Sequence, residues 1–146
     1  MKTEESLLSA WLNMSICIRG NRLVSAIPFN EILICNILYR QKLQSQDYLT
    51  ATDLCERTRL LKSQINQLLT SMEKKGLIER IRSKEDKRKI MVRLKEEKMD
   101  IYLKEHEKIL LLLQALVTDI GSKKAQQLTE LLNEATASMV KIETKR

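Results

Sequence analysis

A mainly α-helical fold with one small β-hairpin is what this 146-residue sequence predicts. Three observations lead there. Apolar residues recur at helical spacing along most of the chain, the pattern of helices that bury one face. Only residues 77–94 change to a twofold period. Three glycines and one proline leave little room for the many turns of an all-β fold. At 43% apolar residues the chain can bury a core of its own.

Residues 5–25 read as the first helical segment, with Leu7, Leu8, Trp11, Met14, Ile18 and Leu23 as its apolar positions and Gly20 and Pro28 as punctuation. A second helix, about Asn30 to Lys42, is dense in apolar residues, as a central helix would be. Thr50 followed by Asp53 is a capping box that opens a short helix ending near Arg57-Thr58. After a break at Arg59-Leu60, another helix covers about Leu61 to Lys75. Its core face is Leu61, Ile65, Leu68, Leu69 and Met72. Its opposite face is Ser63, Asn66, Gln67 and Thr70, flanked by Lys62, Gln64 and Ser71. Gly76 is the expected left-handed cap.

Strands are expected over 77–82 and 89–94, joined by the polar loop Ser83-Lys84-Glu85-Asp86-Lys87-Arg88. From about Lys95 a helix runs to Ile120, about 39 Å at 1.5 Å per residue. Gly121-Ser122 separates it from a last helix, about Lys123 to Glu143.

Charge is distributed unevenly. Residues 57–95 hold 13 Lys/Arg against 4 Asp/Glu, more than the whole formal net charge of +7. A concentrated excess is the footprint of a polyanion. Two short helices with a tight break form a helix-turn-helix, and the hairpin after it forms a wing. The second helix has the width to enter a DNA major groove. Gln64, Asn66 and Gln67 carry amides that pair with adenine edges, while Lys62, Ser63 and Ser71 suit phosphate oxygens. The loop carries Lys87 and Arg88 outward, Arg88 toward a minor groove. Asp86 stands two residues before Arg88, placed to hold its guanidinium.

Other classes are disfavoured. Aromatics at 3% leave few platforms for stacking single-stranded bases. One histidine, no glycine-rich phosphate loop and no close pairing of nucleophile and base argue against an enzyme. No cofactor or metal is expected, since Cys17, Cys35 and Cys55 lie far apart and read as small buried thiols, and His106 reads as a surface residue. No apolar run is long enough to span a membrane, and Met1-Lys2-Thr3-Glu4-Glu5 lacks the basic region of a secretory signal, so a cytoplasmic location is expected. The competing reading is a helical protein-interaction module whose basic face binds an acidic protein partner.

Four segments together resemble the MarR-type winged-helix regulators. They are Leu49-Thr50-Ala51-Thr52-Asp53-Leu54-Cys55, Ser63-Gln64-Ile65-Asn66-Gln67-Leu68-Leu69, Met72-Glu73-Lys74-Lys75-Gly76-Leu77-Ile78-Glu79-Arg80 and Asp86-Lys87-Arg88. The sequence departs from that pattern at Leu61, where a Ser or Thr helix cap is usual, and at Lys95-Glu96-Glu97-Lys98 after the second strand. The resemblance implies a homodimer on a palindromic double-stranded DNA operator, a small-molecule or oxidant signal that changes its affinity, with a repressor released by a small-molecule effector as the expected form, and a ligand pocket lined by the second and fifth helices. The implied organisation is a single domain, 1–146, with a winged helix-turn-helix DNA-binding lobe at 28–95 and a helical dimerisation lobe from 1–27 and 96–146. The residues themselves support a dimer. Ile109-Leu110-Leu111-Leu112-Leu113 puts aliphatic groups all round one helix, and a monomer would leave one side wet.

Overall fold

The computed structural model describes residues 2–20, 28–45 and 47–145. Helix α1 (Thr3–Gly20) precedes α2 (Phe29–Gln44). Strand β1 (Leu49–Thr50) leads into α3 (Ala51–Thr58) and α4 (Lys62–Lys74). Strands β2 (Ile78–Arg82) and β3 (Ile90–Leu94) follow, then a 3-10 turn (Glu96–Lys98), α5 (Met99–Ile120) and α6 (Ser122–Thr144). The chain forms two compact units, Met1–His106 and Glu107–Arg146.

Local chemistry sets the element boundaries of the first unit. The Asp53 N–H donates to Thr50 Oγ1 at 3.1 Å, and the Thr50 N–H donates to Asp53 Oδ2 at 2.9 Å, so the capping box forms in both directions. Arg59 turns the chain between α3 and α4 at φ 61°, the one described non-glycine residue at positive φ. Helix α4 ends in a Schellman motif. Gly76, at φ 76°, donates to the Glu73 carbonyl and Leu77 to the Met72 carbonyl, both at 3.0 Å.

The sheet is antiparallel in the order β1-β3-β2. The hairpin register runs from Ile78 opposite Leu94 to Arg82 opposite Ile90. Leu49 pairs with Val92 on the far side of β3, a third strand that the sequence reading does not anticipate. Two residues are too few to show a twofold period.

Buried apolar side chains run from Ile32 to Tyr102 and include Ile34, Leu54, Ile65, Leu69, Met72, Ile78 and Val92. They form the core of the helix-turn-helix and sheet. By contrast, α6 buries no residue, and Leu110, Leu111, Leu112 and Leu113 of the second unit are all exposed. In the first unit Leu7, Trp11 and Ile16 of α1 are exposed as well.

Several expectations are corrected. Leu61 does not join the core: it precedes the first turn of α4 and is 69% exposed. Cys17 is exposed, because α1 keeps its side chains outside the core; Cys35 is buried and Cys55 half-buried. His106 is half-buried against the Tyr102 ring, with centroids 5.7 Å apart. The long helix starts at Met99 rather than near Lys95: Lys95 keeps an extended backbone, φ −82° and ψ 124°, and continues the strand pairing with a bond to the Leu77 carbonyl at 2.9 Å. Leu23 and the rest of 21–27 lie outside the described residues.

Candidate nucleic-acid interface

The outward face of α4 is built largely as its spacing predicts. Lys62, Ser63, Gln64, Asn66 and Gln67 are all exposed, while Ile65, Leu69 and Met72 are fully buried beneath them. Two residues of the expected set do different work. Gln64 Oε1 accepts the Leu61 N–H at 2.9 Å, the half of a capping box that needs no hydroxyl at the leucine. That bond leaves the Gln64 NH2 group as a donor and one lone pair on Oε1. Ser71 is half-buried, and its hydroxyl donates to Glu31 Oε1 at 3.4 Å, so it does not share the outward face.

Glu31 itself escaped the sequence reading. It lies in the first turn of α2 with 2% exposure, and Lys75 Nζ donates to its two oxygens at 2.8 and 3.1 Å. One carboxylate within the apolar run Phe29–Leu38 was the available signal. One turn further on, burial first and the Glu31 charge second push the Cys35 thiol up to about 12. Cys35 is therefore a packing residue and a poor nucleophile at neutral pH.

The wing is anchored and its tip is organised. Arg80 of β2 reaches back to α4, where it bonds Glu73 and the Thr70 hydroxyl. Across the hairpin, Glu79 and Arg93 form an ion pair at directly opposed positions, and the Arg93 guanidinium lies 5.9 Å from the Tyr48 ring centre. The loop closes with Ser83 N–H to Lys89 O at 2.9 Å and Lys89 N–H to Asp86 O at 3.0 Å. Asp86 Oδ1 then accepts both the Arg88 N–H at 3.0 Å and the Arg88 Nε–H at 3.3 Å. Arg88 is 93% exposed on its side chain, and Lys87 beside it is exposed too. The result is a cation projected into solvent yet tethered at its base, with the guanidinium nitrogens left to donate outward. The Lys87 carbonyl accepts from Arg82 Nη1 at 2.6 Å, which ties the loop to the end of β2.

Two further features lie elsewhere in the first unit. Asn36 donates to the Tyr102 hydroxyl at 2.9 Å, with His106 Nδ1 3.5 Å from the same oxygen, and burial raises the Tyr102 phenol above its ordinary range. A cavity of about 600 Å³ is lined by Leu38, Lys42, Tyr48, Arg93, Lys95 and Glu96, among others. It takes in the end of α2, β1, β3 and the 3-10 turn. Among the described residues no His, Cys, Asp or Glu cluster fits a metal ion, and no helix is long and apolar enough to cross a membrane.

A sequence model described as the MarR family matches residues 30–89, the stretch that carries the helix-turn-helix and the wing. Over those residues, fewer than half of the chain, it resembles the MarR family. A curated relative, the homoprotocatechuate degradative operon repressor of Escherichia coli, is 32% identical over 85 residues. That match covers 58% of this chain and 57% of the relative, so the chain spans little more than half the length of the protein it matches. Solved structures share the fold. The PcaV transcriptional regulator of Streptomyces coelicolor, solved with its natural ligand, superposes with a TM-score of 0.73 at 18% identity, covering 92% of this chain and 93% of that one. A MepR–DNA complex from S. aureus gives a TM-score of 0.73 at 18% identity, with 95% and 98% covered.

Proposed function

We propose that this chain is a MarR-type regulator: cytoplasmic, homodimeric and sequence-specific in binding DNA, a transcriptional repressor released by a small-molecule ligand. The observation that carries the reading is the tethered cation of the wing. Arg88 is held by Asp86 at the tip of a hairpin that Arg80 fastens to a helix with an exposed amide face. A solvated hairpin has no need to fix an arginine, whereas insertion into a minor groove loses less entropy when the side chain is already ordered.

In this reading α4 enters the major groove. Asn66 and Gln67 face base edges, and Gln64 contributes its NH2 donor. Lys62 and Ser63 contact phosphate, and Lys87 flanks Arg88 on the backbone. Lobe 28–95 reads DNA, while 1–27 and 96–146 supply the dimer. The exposed leucines of α5 and α6 and the apolar side chains of α1 are the surface that a second copy covers. A twofold dimer sets its two recognition helices about 34 Å apart, one turn of DNA. The relatives' names agree with this reading: one is a degradative-operon repressor, one was solved on DNA and one with a natural ligand.

The test is duplex binding across a salt series, comparing DNA from upstream of the chain's own gene with a shuffled duplex. Expected are an affinity that falls steeply with salt and a preference of at least about 10³-fold for the upstream duplex. Equal affinity for both duplexes, or a flat salt response, overturns the reading in favour of an acidic protein target.

A further inference from the structure

We propose that Glu31 is a positioning residue for the DNA-reading helix: it clamps the last turns of α4 against the first turn of α2 and so sets the rotation of the exposed face. The inference rests on the reading of α4 as that helix.

Burying a carboxylate is unfavourable unless partners neutralise and hydrogen-bond it. Glu31 is 2% exposed, and the partners described for it are two residues of the same helix end, Ser71 at 3.4 Å and Lys75 at 2.8 and 3.1 Å. They lie one turn apart on one side of the helix. One carboxylate therefore grips two successive turns.

Ser71 and Lys75 are also the end of a longer row. Ser63, Gln67, Ser71 and Lys75 follow each other at intervals of four residues, a row that drifts about 40° per step because a turn takes 3.6 residues. Its first two members are exposed on the reading face, and Ser71 is turned inward. Any rotation of α4 that breaks the clamp swings Gln67 by the same angle. An apolar residue at position 31 would also pack, but burial is non-directional and would not fix that angle. Charge-assisted hydrogen bonds do. The clamp closes immediately before Gly76, where the chain leaves α4 for β2, so it also fixes the point from which the wing departs.

The test uses the intact chain and two duplexes, the preferred one and a shuffled one, at fixed salt. The readout is the ratio of the two affinities for wild type, Glu31→Gln, Lys75→Gln and the double variant, with helicity and dimer size checked for each. Expected is a drop in the ratio of at least about tenfold for each single variant. For Glu31→Gln, affinity for the shuffled duplex stays unchanged, which a general loss of folded protein would not produce. The double variant falls no further than the worse single one, as for residues acting as a pair. An unchanged ratio in folded Glu31→Gln, or strictly additive losses, overturns the proposal. Should either single variant fail to fold, the double variant decides alone, since it removes both charges and leaves neither without its counter-charge; an unchanged ratio there overturns the proposal. If wild type itself does not discriminate, the reading of α4 fails first and the clamp has nothing to position.

Discussion

Arg80 on β2 and Glu73 on α4 are joined through three donors: the guanidinium bonds Oε1 at 3.1 Å and Oε2 at 3.4 Å, and the Arg80 backbone N–H bonds Oε2 at 3.3 Å. The link crosses the Schellman turn and fastens the wing to the helix before it. The Arg80 side-chain bond is the main cause that holds the Glu73 carboxyl below its ordinary range. A carboxylate depressed in the folded state stabilises above its unfolded value, and that contribution is lost as pH falls through the lower folded value. Wild type should therefore lose stability more steeply than Glu73→Gln below about pH 4.3. The difference at neutral pH should stay under about 1 kcal/mol, since the pair is partly exposed. Acid unfolding curves of the two proteins check this.

Gln64 and Gln67 are chemically identical and should respond differently to alanine. Gln64→Ala removes the acceptor of the Leu61 N–H and should lower stability by about 1 kcal/mol. Gln67→Ala should leave stability within about 0.5 kcal/mol and reduce discrimination between duplexes. Thermal unfolding beside duplex titration separates the two outcomes.

At the wing, Arg88→Ala should weaken duplex binding by about 1–3 kcal/mol while the dimer stays folded. Asp86→Ala should have a smaller effect of the same sign, because it unties Arg88 from its two bonds without removing the cation. Affinity at fixed salt is the measurement, and a gain in affinity for Asp86→Ala would show that the carboxylate acts by repulsion and not as a tether.

Leu131 of α6 is 62% exposed, so in a monomer Leu131→Glu would be a harmless surface change. In the dimer it buries a charge in an apolar interface. Size measurement at micromolar concentration should show wild type as a dimer and the variant as a monomer or as a dimer of much lower affinity.

The parts legible in the sequence are those that depend on close neighbours along the chain. Thr50 with Asp53, Gly76 at the end of α4, and Asp86 with Arg88 each close their geometry within a few residues. What stayed hidden depends on partners far away. Glu31 meets Lys75 across 44 positions, and only the packing of α2 on α4 reveals it. Ser71 looked outward because a simple division of helix faces ignores the drift of the row that carries it inward. Spacing alone puts Leu61 in the core, yet it stands outside the first turn, where helical periodicity does not apply. The 3-10 turn before α5 follows from a sheet bond, Lys95 to Leu77, and an exposed ion pair, Lys42 to Glu96 at 2.7 Å. Neither has a local sequence signature.

Selection of bound sequences from a random duplex pool reads the two α4 helices and their wings in a single experiment. Enrichment of an inverted repeat with half-site centres about 10 base pairs apart is expected. Arg88→Ala should select the same repeat with weaker A·T preference at its flanks. A pool that shows no enriched repeat at any salt concentration, with wild type dimeric and folded, contradicts DNA reading by α4 and the wing.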